Sequence, residues 1–96
     1  MLTKPHVFIG GGLYEDCAYH PCLCIGIDEE ERDLTGISLI DGSIPRSCSI
    51  DHCGPEPITI EAAVLIRLNF ELFKQRRIDG GSLRDAVKDL TRRDVS

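Results

Sequence analysis

PCLCIGIDEEERDLTGISLIDGS, residues 21–43, decides the architecture. Leu23, Ile25 and Ile27 alternate with Cys22, Cys24, Gly26 and Asp28, the period of two that marks a β-strand. Pro21 suits the first residue of such a strand, where no ladder donor is needed. The run Asp28-Glu29-Glu30-Glu31-Arg32-Asp33 is too charged to bury and makes a solvated hairpin tip. A second strand is expected at about 34–41, LTGISLID. Asp41-Gly42-Ser43 then turns the chain, because Asp-Gly accepts the positive φ values of tight hairpins. A third strand at about 44–51, IPRSCSID, sets Ile44, Arg46, Cys48 and Ile50 on one face, with Cys48 directed into the core.

Upstream, Val7-Phe8-Ile9 is a short apolar run that stops at three glycines, and Leu13 to Tyr19 reads as a loop or irregular edge. Downstream, residues 52–58, HCGPEPI, hold Gly54, Pro55 and Pro57 and read as a turn. A helix is expected over about 59–77, capped by the Thr59 hydroxyl, with Glu61 near the positive end of its dipole. Asp79-Gly80-Gly81 ends it. Ser82 and Asp85 have capping-box spacing and open a second helix over about 82–93, with Leu83, Ala86, Val87 and Leu90 at helical intervals. Short strands followed by helices imply an α+β fold, an antiparallel sheet with helices on one side. The 96 residues make a single domain, 1–96, with a β-rich part at 1–58 and a helical extension at 59–96.

The stretch from His20 to Ile58 resembles small SH3-like barrels. The resemblance is carried by the strand CLCIGID, the acidic hairpin, the strand leading into SLIDGS, then IPRSCSI and a turn closing at GPEPI. It implies a small SH3-like sheet or barrel over about residues 7–53 and, as that class does, binding of peptides, proteins or nucleic acids. The chain also resembles short uncharacterised bacterial proteins of mobile gene cassettes, which have no agreed activity to carry over.

Charge narrows those options. Residues 1–58 carry 3 Lys/Arg against 10 Asp/Glu, a balance of −7, and residues 59–96 carry 8 against 6, a balance of +2. Nucleic-acid binding needs a basic surface to displace counterions, so the acidic first half argues against it. No apolar run approaches the roughly 18 residues of a membrane span. The N-terminus lacks the form of a signal peptide, and a cytoplasmic location is expected. There the five cysteines stay reduced, and a buried thiol behaves as a small hydrophobe.

Three chemistries compete for the cysteines and histidines. Zinc would draw on Cys17, His20, Cys22, Cys24, His52 and Cys53, although no CxxC knuckle is present and Cys24 and Cys48 fall on opposite strand faces. For nucleophilic catalysis Cys53 is the best candidate, before a helix and beside His52. Asp51, His52 and Cys53 are adjacent, however, and side chains of successive extended residues diverge. The third option is binding without catalysis. Tyr14, Tyr19, His20, Arg46, Ser47 and His52 form a candidate rim for a protein or peptide partner. The first helix is apolar on both sides, which gives a homodimer interface through Leu65, Leu68, Phe70 and Phe73. The sequence therefore favours a non-enzymatic, homodimeric interaction module without a cofactor. A small zinc-binding protein is the alternative.

Overall fold

The computed structural model describes residues 10–95, and of residues 92–95 the backbone alone. Its elements are β1 (Leu13–Glu15), β2 (Pro21–Asp28), β3 (Asp33–Ser38), β4 (Arg46–Ser49), β5 (Glu56–Ile58), α1 (Ile60–Leu68), α2 (Phe70–Ile78) and α3 (Leu83–Val95). The strands form one antiparallel sheet in the order β4-β3-β2-β1-β5, open at both edges. The chain is α+β, as expected. The sheet is not closed into a barrel, and among the described residues three helices replace the expected two. The run Val7-Phe8-Ile9 lies outside the described residues.

Two strands were not visible in the sequence. β1 occupies the expected loop, pairing Tyr14 with Cys22 on one side and with Pro57 of β5 on the other. β5 falls in the expected turn. It forms an edge of the sheet, where Pro57 does not break a ladder.

The faces of β2 also differ from the simple alternation. Cys22 and Cys24 point into the core, and Leu23 is only half-buried. Between Cys24 and Gly26 the register slips by one residue, a β-bulge. Ile25 is left outside at 46% exposure, and beyond the bulge Ile27 turns inward. Cys24 pairs with Gly36, and Cys48 with Leu34 two residues away on the same strand. Cys24 and Cys48 thus share a face, correcting the expectation that they oppose each other.

Two separate apolar clusters result. On the sheet, Tyr14, Cys22, Cys24 and Leu34 are buried together, with Ile27 and Ile50 against them. In the helical layer, Ile66, Phe73, Ala86 and Leu90 are buried, joined by Tyr19, Ile58, Leu65 and Phe70 among others. α3 packs across both α1 and α2. The Thr59 hydroxyl accepts a hydrogen bond from the Ala62 N–H at 3.1 Å, and the Ser82 hydroxyl accepts one from the Asp85 N–H at the same distance. Both caps are those expected. The single long helix is broken at Asn69, whose backbone leaves helical geometry (φ −133°, ψ 38°). Its side-chain amide donates to the Leu65 carbonyl at 3.0 Å, an alternative to the helical ladder that short amide side chains offer.

The layers are fastened by a buried ion pair. Arg77 of α2 grips Glu15 of β1 with two hydrogen bonds of 2.8 Å. The same guanidinium donates to the Gly81 carbonyl at 2.7 Å and lies 5.2 Å from the Tyr19 ring centre. Burial raises the Glu15 carboxyl above its ordinary range, outweighing the opposing pull of Arg77. Glu15 in turn holds Arg77 more firmly charged. These directions concern different balances, and for Glu15 desolvation is the larger effect.

Candidate metal centre

Cys17, Cys48 and Cys53 converge, with their Sγ atoms all within 4.8 Å of one another. Each comes from a different local structure. Cys17 sits in the turn between β1 and β2, Cys48 on β4, and Cys53 in the turn that follows β4.

Asp16 shapes the first turn. Its Oδ1 accepts the N–H groups of Ala18 at 2.9 Å and His20 at 3.0 Å. Its backbone N–H donates to the His20 carbonyl at 3.0 Å, and Tyr19 adopts a left-handed conformation (φ 67°) to complete the reversal. Cys17 is thereby placed at the surface. Asp16 Oδ2 also accepts from Arg46 Nε at 2.7 Å. Arg46 lies two residues before Cys48, so this pair, with Asp16 5% exposed, ties the Cys17 turn to β4. The second turn is folded by the Cys53 N–H donating to the Ser49 carbonyl at 2.9 Å, with Gly54 following at φ 67°. The chain doubles back, and Cys53 returns beside Cys48.

The three thiols are not equivalent. Cys48 is buried, and its thiol is pushed up to about 12, chiefly by desolvation. Cys17 is exposed, and its thiol is raised, first by desolvation and then by the neighbouring Cys53. Cys53 is exposed, and hydrogen bonds from the Ser49 backbone and the Cys17 thiol hold it below the ordinary thiol range. Thiols at this spacing are suited to a soft ion such as zinc.

The remaining members of the expected zinc set lie elsewhere. Cys22 donates to Asp16 Oδ2 at 3.6 Å, and burial pushes its thiol up to about 12. Cys24 is buried and donates to the Gly26 carbonyl at 3.6 Å. Both are core thiols. His20 points to Ser38 instead, Nδ1 to Oγ at 2.8 Å. His52 is exposed and, among the described residues, does not join the trio. Cys48, assigned to the core by its strand position, is the member of the trio that the expected set lacked. The Cys48-x4-Cys53 spacing was its visible trace, but Cys17 is brought in by tertiary contact alone.

The His20–Ser38 pair has the form of a base and a nucleophile. Ser38 Oγ already accepts the Ile40 N–H at 3.0 Å and is almost completely buried. Shielded from substrate in this way, it is a structural hydroxyl, whichever of the two groups donates in the pair. Asp51, next to His52 and Cys53, is paired with Arg32 at 2.8 Å.

The expected partner rim is dispersed. Tyr14 is fully buried and cannot meet a partner, because its ring fills the sheet cluster and its hydroxyl donates to the Arg46 carbonyl at 3.4 Å. Tyr19 is half-buried beneath Arg77, and the ring of His20 meets Phe70 edge-on with centres 5.0 Å apart. Arg46 is occupied by Asp16 and Ser43. Ser47 and His52 are exposed. The expected dimer face also changes. Phe73 belongs to the helical core, and Leu65 and Phe70 pack against it. Leu68, at 70% exposure, stays outside with Ile60 and Val64, one turn apart along α1.

Among the described residues, no helix is long and apolar enough to cross a membrane. No family model, curated protein or solved structure matches the chain.

Proposed function

We propose that the chain is a small, non-enzymatic metal-binding domain that takes a soft ion, zinc first, on Cys17, Cys48 and Cys53. The observation that carries this reading is the convergence of three Sγ atoms within 4.8 Å from three separate segments. Zinc favours four donors, so the fourth position is left to water or to a group from a partner. Reduced thiols suit a reducing compartment such as the cytoplasm. Elemental analysis of protein purified without chelator tests it: about one zinc per chain is expected, falling to a small fraction in Cys48→Ser. Equal metal content in the two proteins sinks the reading.

A second reading is favoured by a different observation. Ile60, Val64 and Leu68 line the outer side of α1 at 68%, 50% and 70% exposure. Apolar stripes of this kind mark interfaces, and a second copy of the chain is the proposed occupant, making the domain a homodimeric interaction module. The return of β5 to the side of β1 supports describing its sheet as SH3-like. Light scattering should show a dimer that Val64→Asp with Leu68→Asp converts to a folded monomer. A wild-type monomer at high concentration removes this reading.

A further inference from the structure

We propose that Cys17 and Cys53 form an oxidative modification site, at which a hydroperoxide closes an intramolecular disulfide. Only the consequence for metal binding rests on the proposed function: the bond would remove two of the three ligands and release the ion.

The argument is one of access and freedom to move. Cys17 and Cys53 are both exposed, whereas Cys48, Cys22 and Cys24 are buried. An oxidant in solution therefore reaches the first pair and not the others. Their Sγ atoms already lie within 4.8 Å, and a disulfide needs them at about 2.05 Å. Both residues stand in turns outside the strand ladders, so a bond between them leaves the register of every strand as it is. The turns themselves are held in place. The Asp16–Arg46 pair fixes one to β4, and the Cys53 N–H bond to Ser49 fixes the other to the end of that strand.

The chemistry balances with the hydroperoxide as oxidant. One thiolate attacks the O–O bond, forming a sulfenic acid, and the departing alkoxide takes a proton to become an alcohol, or water when the oxidant is hydrogen peroxide. The second thiolate displaces the sulfenic hydroxyl, the S–S bond forms, and the hydroxide leaves as water. Two electrons pass from the sulfurs to the peroxide, and the two thiol protons end in the released molecules.

The full chain, stripped of metal, is exposed to hydrogen peroxide and digested without reduction before mass spectrometry. The expected product has lost two hydrogens and yields a peptide joining Cys17 to Cys53. Cys17→Ser and Cys53→Ser should each abolish it. Cys48→Ser should keep it while losing stoichiometric zinc, which separates the two proposals. If the disulfide forms but wild-type protein binds no zinc, the modification site stands and the metal reading fails. A cross-link through Cys48, a bond between chains, or oxidation to sulfinic acid without any Cys17–Cys53 bond overturns the modification site.

Discussion

Replacing Arg77 by methionine tests how the helical layer is fastened to the sheet. The substitution keeps much of the apolar stem and removes both hydrogen bonds to Glu15, whose side chain is 3% exposed. Removing one partner of a buried pair leaves the other charge without compensation, at a cost of about 3–5 kcal/mol. For a domain of this size that is a melting-temperature drop on the order of 20 °C. The loss should depend on pH, and the sign follows from the carboxyl. Burial already raises Glu15 above 4.5, and removing Arg77 removes a lowering influence. The folded variant therefore holds this proton where the unfolded chain, at about 4.5, has released it. Stability is full below that value and declines by ~1.4 kcal/mol per pH unit as pH rises toward the folded value. Urea denaturation from pH 4.5 to 8 measures this slope. Adding Glu15→Gln to the variant should flatten it and recover much of the loss at pH 7. An Arg77→Met penalty that is the same at every pH and unaffected by Glu15→Gln would refute the argument, leaving the contacts to Gly81 and Tyr19 as the cause.

Other outcomes can be checked with the same methods. A Cβ on Gly36 would collide with the Tyr14 hydroxyl and lie 2.9 Å from the Leu23 carbonyl, so Gly36→Ala should cost about 2 kcal/mol. Tyr14→Phe should restore part of that in the same chain, and independent, additive effects would remove the explanation. Desolvation first, and Arg46 second, lower the basicity of His20 below 6.5. The stability it contributes is therefore present above pH 6.5 and lost as pH falls through the folded value, a decline that His20→Gln should reduce. Asp16→Asn weakens the tie between the Cys17 turn and Arg46 while leaving all three thiols in place. Zinc affinity by competition with a chromophoric chelator should fall severalfold; an unchanged affinity would show that the tie does not position Cys17.

Local rules carried the reading a long way. β2 was placed over its full length, Pro21–Asp28, because its alternation is unbroken and charge ends it. The caps at Thr59 and Ser82 were legible because capping depends on a few adjacent residues. The inward face of β2 was not, since a one-residue bulge after Cys24 changes which side chains point inward and depends on pairing with β3. β1 and β5 are three residues each, too short to show a period, and exist through their pairing, β1 with both β2 and β5 and β5 with β1. The break at Asn69 is hidden because Leu68 and Phe70 flank it and the apolar spacing of a helix continues across it. The cysteine trio is legible in the sequence only in part, through Cys17 and Cys53. Strand position assigned Cys48 to the interior, which is correct, but an interior thiol can still meet two from the surface where turns fold over the end of a strand.

The division of the apolar interior into two clusters has a consequence for how the molecule opens. Cooperativity is transmitted through shared buried contacts, and here those contacts are concentrated within the sheet and within the helical layer, joined by Glu15–Arg77, Ile58, Tyr19, the His20–Phe70 contact and the Arg67 bond to the Leu39 carbonyl. Such units can come apart in sequence rather than together. Amide hydrogens of α1, α2 and α3 should then exchange through a common opening of lower free energy than those at the centre of β2 and β3. A chain whose helices detach transiently would keep Cys17, Cys48 and Cys53 assembled, because all three belong to the sheet and its turns. Ion binding and helix detachment would be linked only through Tyr19 and His20 at the end of the Cys17 turn, so a bound ion should slow exchange in the strands more than in the helices.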